Sequence, residues 1–288
     1  MRKLSVSEWC CAVRFNKNND SIMTDLSTPF VVLPNSKRYW CADPFLFQKD
    51  DHYFVFFEAY DRLKRKGVLG YRQITEHTAG DIHIICEATS HLSYPFIYEA
   101  DGNLYIVPES NMSGELYRLK CLSFPNHWEK EKVLMHFFSH NQEQYCFSTT
   151  VDDGLLFDRL DLFYCVNGEW VPCPRNPVKR DLSSARGAGK CFEQDGVWYR
   201  PSQDCSDGYG CALCLNAMDK IDSNEYLEHC VKKLQPVEIK TNTGVAYQGI
   251  HTYNRLNHVE VIDLKTPPEL HILNLVGGFW KRVRNKIK

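Results

Sequence analysis

No long uninterrupted apolar run occurs in these 288 residues, so no helix is expected to cross a bilayer. The opening MRKLSVSEWCCAVRF lacks the continuous apolar stretch and small-residue cleavage site of a secretory leader, and its EWCCAVRF portion reads as a strand. A basic stripe interleaved with stacking aromatics is also missing, which argues against nucleic acid as a partner. Cys211-Ala-Leu-Cys214, with Cys205 upstream, has no second CxxC and no His-x-x-x-His to complete a closed zinc site, so no metal site is expected. Thirteen cysteines without a leader then read as reduced thiols of a cytosolic protein, packed as small hydrophobes.

What the chain does contain is a sentence written more than once. Residues 44–58 read PFLFQKDDHYFVFFE and residues 95–109 read PFIYEADGNLYIVPE. Each is an apolar strand, a turn centred on Asp, and a second aromatic strand, the pattern of a β-hairpin. The grammar returns at Lys190–Gln203 around Asp195-Gly196, more weakly at Asp153–Val166, and as a relic in GIHTYNRLNHVEVID near the end. Repeats of about 40–50 residues holding several strands mark propeller blades, because one blade cannot bury both of its faces alone. The expectation is an all-β, five-bladed β-propeller over residues 1–271; the alternative is a β-sandwich whose hairpins agree by chance. Aligned by column, the residues before the four clear hairpins are Asp43, Tyr94, Asp153 and Ala188, and those closing them are Glu58, Glu109, Gly168 and Gln203. Inner strands line a propeller's channel, so the first set is expected around one mouth of it.

Charge is uneven. Residues 272–288 carry five Lys or Arg and no acid, so with the whole chain at −2 the first 271 residues hold −7. Phe279, Trp280, Val283 and Ile287 make a helical apolar stripe among Lys281, Arg282, Arg284, Lys286 and Lys288. This short basic helix or tail reads either as an interfacial anchor on anionic lipid, with Trp280 at headgroup depth, or as a terminal helix packed on the barrel. The expected location is cytoplasmic, with the inner face of the membrane as the surface for such an anchor.

The runs WCADPFLF, HLSYPFIYEADGNLYIVPES, NPVKRDLSSARGAGKCF, YRPSQDCSDGYG and GIHTYN resemble the five-bladed propeller that forms the N-terminal domain of plant glucosamine inositolphosphorylceramide transferases and related bacterial proteins of glycan assembly. The likeness extends from about Trp40 to Asp263. More distantly, the Ala-Asp-Pro opening at Asp43 is similar to the arabinanase-like and invertase-like furanosidase propellers. That second resemblance implies a base or nucleophile at Asp43 and a modulating carboxylate at Asp153, but the fourth-blade run SSARGAG offers Arg186 where those enzymes place an acid. Without a proton donor, two-carboxylate hydrolysis is incomplete unless Glu58 or Glu109 substitutes. An arginine suits a leaving group that departs as a phosphate, with Lys190 or His251 completing the clamp.

Transfer from a phosphorylated sugar donor in surface-glycan assembly is therefore the leading expectation, with a glycoside hydrolase and a non-catalytic glycan-binding scaffold as alternatives. His91, Tyr94, Glu109, Arg200, Gln203, Asp204, Tyr209, His251 and Tyr253 lie in the family-like runs and would line a sugar funnel; Asp204 equally suits a turn cap, and His251 a satisfied core histidine. The partners implied are a sugar donor, a glycan acceptor and, for a scaffold, a partner glycosyltransferase. No cofactor is demanded, although a divalent metal could accompany a nucleotide-sugar donor.

Overall fold

A computed structural model describes residues 5–17, 20–110, 117–132, 138–140, 143–150, 157–167 and 169–276. The chain starts with β1 (Trp9–Phe15) and β2 (Val31–Val32). The first blade follows as β3 (Tyr39–Lys49), β4 (His52–Asp61), β5 (Lys66–Ile74) and β6 (His83–Cys86), an antiparallel meander. The second is β7 (Ser93–Ala100), β8 (Asn103–Glu109), β9 (Tyr117–Ser123) and β10 (His127–Lys132). The third holds β11 (Phe138–His140), β12 (Glu143–Thr150), β13 (Arg159–Val166) and β14 (Glu169–Pro172), with β15 (Lys179–Arg180) added to β13. The fourth is β16 (Phe192–Gln194), β17 (Val197–Asp204), β18 (Ala212–Ile221) and β19 (Tyr226–Leu234). Last come β20 (Tyr253–Leu256) and β21 (Val259–Lys265), which recruit β1 and β2 into the sheet order β2-β1-β21-β20. The result is a five-bladed β-propeller whose fifth blade joins the two ends of the chain.

The predicted hairpins owe their turns to residues that accept positive φ. Asp50 (φ 53°), Asp101 (φ 50°), Asp195 (φ 54°) and Asn257 (φ 55°) each open a two-residue reversal between an inner strand and its neighbour. These short polar residues tolerate the left-handed region, and the primed turn matches strand twist. The third copy needs correction. Arg159–Val166 is one continuous strand, so no turn falls within it, and its reversal is at Asn167 (φ 52°) into β14. The inner pair of that blade is β11 and β12, and Thr149, not Gly168, occupies the position that Glu58, Glu109 and Gln203 hold eight residues after their turns. Asp153 and Gly168 lie outside the described residues.

Strand alternation sends successive side chains to opposite neighbours. On β1, Cys10 and Ala12 pack with Leu213 and Leu215 of the fourth blade, whereas Cys11 and Val13 pack with Val55 and Phe57 of the first. Further interfaces join Phe45 and Phe56 to Ile97 and Ile106, and Leu160 and Leu162 to Tyr226.

One acid on the closing strand is buried with a full set of donors. Glu260 Oε2 accepts from Arg14 Nε (2.8 Å), Arg14 Nη2 (2.6 Å) and Asn16 Nδ2 (2.7 Å), and Oε1 accepts from the Ile22 amide (2.6 Å) and the Tyr253 hydroxyl (2.7 Å). Removing one partner of such a pair strands a charge away from water. Arg14→Ala is expected to lower the unfolding free energy by about 3–5 kcal/mol, while Arg14→Met combined with Glu260→Leu loses less. Urea unfolding of the three proteins checks this; a loss of about 1 kcal/mol or less, as for an exposed pair, would show that the pair does not hold the ring closed.

Candidate functional site

Inner strands bring polar side chains to one end of the channel, around a cavity of about 780 Å³. Two of them are aimed by the same backbone device. Asp43 (φ 50°) and Tyr94 (φ 48°) each precede a proline and sit in a bulge, between Ala42 and Phe45 on β3 and between Ser93 and Phe96 on β7. A bulge takes a residue out of the ladder and re-aims its side chain, here into the cavity. The left-handed conformation costs such residues about 1–3 kcal/mol, and surrounding contacts must hold it.

Those contacts come from the closing blade. The Asp43 amide donates to Asp263 Oδ2 (2.9 Å), and the Asp43 carboxylate accepts from the Thr252 hydroxyl (3.1 Å) and the Tyr94 amide (3.1 Å). Asp263 also accepts from the amides of His251 (3.0 Å) and Thr252 (2.9 Å), and its Oδ2 lies 2.7 Å from His251 Nδ1. Burial lowers the basicity of His251, but Asp263 and then Asp43 outweigh it, so its pKa is raised. Trp9 stacks on the ring at 3.8 Å. Burial raises the pKa of Asp43; His251 opposes the rise, and Asp263 and Glu109 add to it.

Glu58 is placed differently. It projects from β4, where it is paired with Ala42 and Leu69, over Gly67, where a Cβ would lie 2.5 Å from Oε1, so only glycine leaves room for the carboxyl group. His91 Nδ1 accepts from the Gly67 amide (3.0 Å), which leaves the proton of the neutral ring on Nε2, 3.3 Å from Glu58 Oε1. That oxygen is buried and makes no hydrogen bond. Burial, then the charges of Asp43 and Glu109, push the Glu58 pKa well up, while burial lowers that of His91. The upward shift is the larger for Glu58, because Asp43 has two donors on its carboxylate and Glu58 has none.

Arg186 reaches in from the fourth blade. Asp181 accepts from the Ser183 amide (2.9 Å) to start a tight turn, and the Gln203 amide donates to the Arg186 carbonyl (2.8 Å), fixing the segment beside β17. The guanidinium lies over Phe157 at 3.9 Å and near Tyr209 at 5.3 Å. Its Nη2 is 3.5 Å from Glu109 Oε2, and the side chain is 13% exposed. It makes no hydrogen bond among the described residues.

With this geometry in view, the relatives can be placed. The family model described as glucosamine inositolphosphorylceramide transferase 1, N-terminal, matches residues 26–273. The chain belongs to this family. Similar full-length proteins are the glucosamine inositolphosphorylceramide transferases 1 of Arabidopsis thaliana, 28% identical over 82% of this chain and 32% of that protein, and of Oryza sativa subsp. japonica, 30% identical over 77% and 31%. The chain thus spans about a third of the length of the curated relatives it matches. Among solved structures, the catalytic domain of the Coprinopsis cinerea GH62 α-L-arabinofuranosidase is similar in fold, with TM-score 0.55, 11% identity, and coverage of 79% of this chain and 91% of that one.

Within this family member, Asp43, Glu58, His91, Tyr94, Glu109, Arg186, Gln203 and Tyr209 all line the one cavity. Arg200 borders it, but its head turns into a buried pair with Glu228 (2.6 Å). The other predicted residues lie elsewhere. His251 stands behind Asp43, and Tyr253 donates to Glu260 in the core. Asp204 accepts from the Ser206 amide (2.8 Å) and pairs with Lys233, so it caps a turn. Lys190 extends toward the Phe96 ring (5.7 Å), where burial lowers its pKa to about 8, and does not line the cavity. Trp280, Lys281, Arg282 and Arg284 lie outside the described residues. Sequence reasoning missed Asp263, Thr252, Trp9 and Phe157. An available signal for Asp263 was two acids, Glu260 and Asp263, on the otherwise apolar strand VEVIDL, since buried acids demand partners.

Asp43, His251 and Asp263 are close enough to hold a metal ion. They do not fit one well: both Asp263 oxygens are occupied by amides and His251, and Asp43 is held by Thr252 and Tyr94. The cluster serves to hold Asp43.

Glu58 yields a pH test. A carboxyl group whose folded pKa is raised binds more protons when folded, so stability falls as pH rises from its ordinary value near 4.5 toward the folded pKa. Glu58→Gln keeps the shape and removes this slope. Its melting temperature should exceed that of the wild type at neutral and higher pH, with the gap closing as pH falls to about 4. A gap independent of pH would mean that Glu58 is ionised in the fold.

Proposed function

We propose that the cavity binds a sugar carrying an anomeric phosphate or diphosphate and transfers the sugar to a hydroxyl acceptor. The observation that carries this reading is Arg186: a mostly buried guanidinium, caged by Phe157 and Tyr209, with donors that no described residue accepts. Such a group suits a planar array of anionic oxygens. In transfer, the acceptor oxygen forms a bond to the anomeric carbon as the bond from that carbon to the phosphate oxygen breaks. Asp43 takes the acceptor proton, and Arg186 stabilises the charge carried off by the phosphate. The transferase names of the relatives, of which this chain spans about a third, support a role in glycosyl transfer, which a scaffold beside a separate transferase domain would serve equally.

A second reading rests on Glu58. A protonated carboxyl group facing a cavity beside Asp43 is what hydrolysis of a neutral glycoside requires, and it supplies the proton donor absent from the fourth blade. A scaffold that positions a glycan for a partner glycosyltransferase would use the same cavity without turnover.

Titrating a panel of sugar 1-phosphates, nucleotide sugars and neutral oligosaccharides by calorimetry, with turnover measured in parallel, separates these readings. Arg186→Ala should weaken the phosphorylated ligand by about 2–4 kcal/mol, while Asp43→Asn should spare binding and abolish turnover. Neutral glycosides cleaved by wild type and Arg186→Ala alike, but not by Glu58→Gln, would favour hydrolysis. Binding without turnover on any ligand would leave the scaffold.

A further inference from the structure

We propose that the cavity end of the first blade, together with residues 270–276, is a docking surface for an anionic lipid membrane, so that the cavity mouth is turned toward the bilayer. Strand direction identifies this end. Glu58 pairs with Ala42 and Glu109 with Ser93, beside Asp43 and Tyr94, at the starts of β3 and β7. Asp61 pairs with Tyr39 and Lys66, so the connection at residues 62–65 turns over at that same end. The hairpin turns at Asp50, Asp101, Asp195 and Asn257 lie at the opposite one.

The C-terminal segment is fastened to this connection. Arg65 Nη1 donates to the Asn274 carbonyl (3.3 Å), and Asn274 Nδ2 donates to Glu8 Oε1 (2.7 Å), which also accepts from Arg62 Nε (2.8 Å). Upstream, Val6 and Glu269 pair by their backbones (3.0 Å). The short helix at residues 272–276 is thus fastened at this end, with Leu273 half-buried and Ile272, Leu275 and Val276 exposed. Ile272 is 72% and Leu270 61% exposed, and Leu275, Val276, Val6 and Leu63 are exposed as well.

Apolar groups left in water on the same end of the ring as the cavity residues mark a contact surface. Charge identifies the occupant. Of the acids here, Glu8 is taken by Arg62 and Glu87 by Lys64 and Lys66, leaving Glu269 as the exposed acid without an ion pair among the described residues. The chain then runs on through residues 277–288, whose sequence adds Trp280, five Lys or Arg and no acid, although the rest of the protein is acidic. Apolar side chains beside a cationic segment suit the headgroup region of an anionic leaflet, where both contribute to binding. No helix among the described residues is long and apolar enough to cross a membrane, and the contact proposed is peripheral. The docking proposal does not rest on the reading of the cavity.

The test uses the full chain with vesicles of phosphatidylcholine alone or with about 30% phosphatidylserine, at about 0.05 and about 0.5 M salt. Flotation should show binding to the anionic vesicles that weakens at high salt. Ile272→Asp combined with Leu275→Asp should reduce it at least about tenfold without changing the melting temperature. Hydrogen exchange should slow on vesicles at residues 62–66 and 270–276 and stay unchanged at the turns containing Asp50, Asp101 and Asp195. No binding to anionic vesicles, binding indifferent to the two substitutions, or protection centred on the opposite turns would each overturn the proposal. Docking in this orientation by a chain that binds no sugar phosphate would leave docking standing and remove only the reading of the cavity.

Discussion

A propeller is a circle assembled from a line, and everything else in this protein depends on how the line is joined. The joint is β1 laid against β21 over Trp9–Phe15 and Val259–Lys265, with Arg14 and Glu260 sealed inside it. Backbone pairing alone would leave the joint open to slippage. A buried carboxylate with five donors from four residues fixes one register, because a shift by one residue would face Glu260 toward the apolar interface with the first blade. The same strand alternation gives the joint its second task. Asp263 faces the opposite side from Glu260 and reaches the first blade, where it receives the Asp43 amide.

Two of the acids lining the cavity, Asp43 and Glu58, are both pushed up in pKa by burial, but they are held in different ways. Asp43 is held by backbone, hydroxyl and, behind them, His251 and Asp263, so its position is determined by blades one, two and five together. Glu58 is buried over a glycine with one oxygen unsatisfied, so its proton is its principal means of avoiding an uncompensated charge. On the other side, Arg186 touches aromatic faces and one carboxylate at 3.5 Å, and its donors make no hydrogen bond among the described residues.

Much of this was legible in the sequence because turn chemistry is local. Asp-Asp, Asp-Gly and Asn-His pairs between aromatic strands announced four hairpins, since few residues accept the left-handed turn. The third blade was misread for a different reason: no glycine stands at the middle of Asp153–Val166 to mark a turn, and the reading placed one inside what is the continuous strand Arg159–Val166, whose reversal comes only at Asn167. Site residues were legible where they stand beside a bulge or at a strand end. Lys190 and Tyr253 were not, because a side chain's face depends on alternation across a bulge, and each turned away from the cavity. Arg200 carries the right chemistry but is neutralised by Glu228, a partner on β19 that no repeat marks. Asp263 was hidden because its role exists only through contacts made across the ring.

The split blade also sets an order of events during synthesis. Asp43 emerges from the ribosome 220 residues ahead of Asp263, the acceptor of its amide, and Arg14 emerges 246 ahead of Glu260. At about 5–20 residues per second, this leaves Arg14 on β1 without its partner and the Asp43 bulge of the first blade unsupported for about 10–50 s. A nascent or truncated chain therefore displays blades without a finished cavity, and Asp43 has no fixed position until β21 has been made.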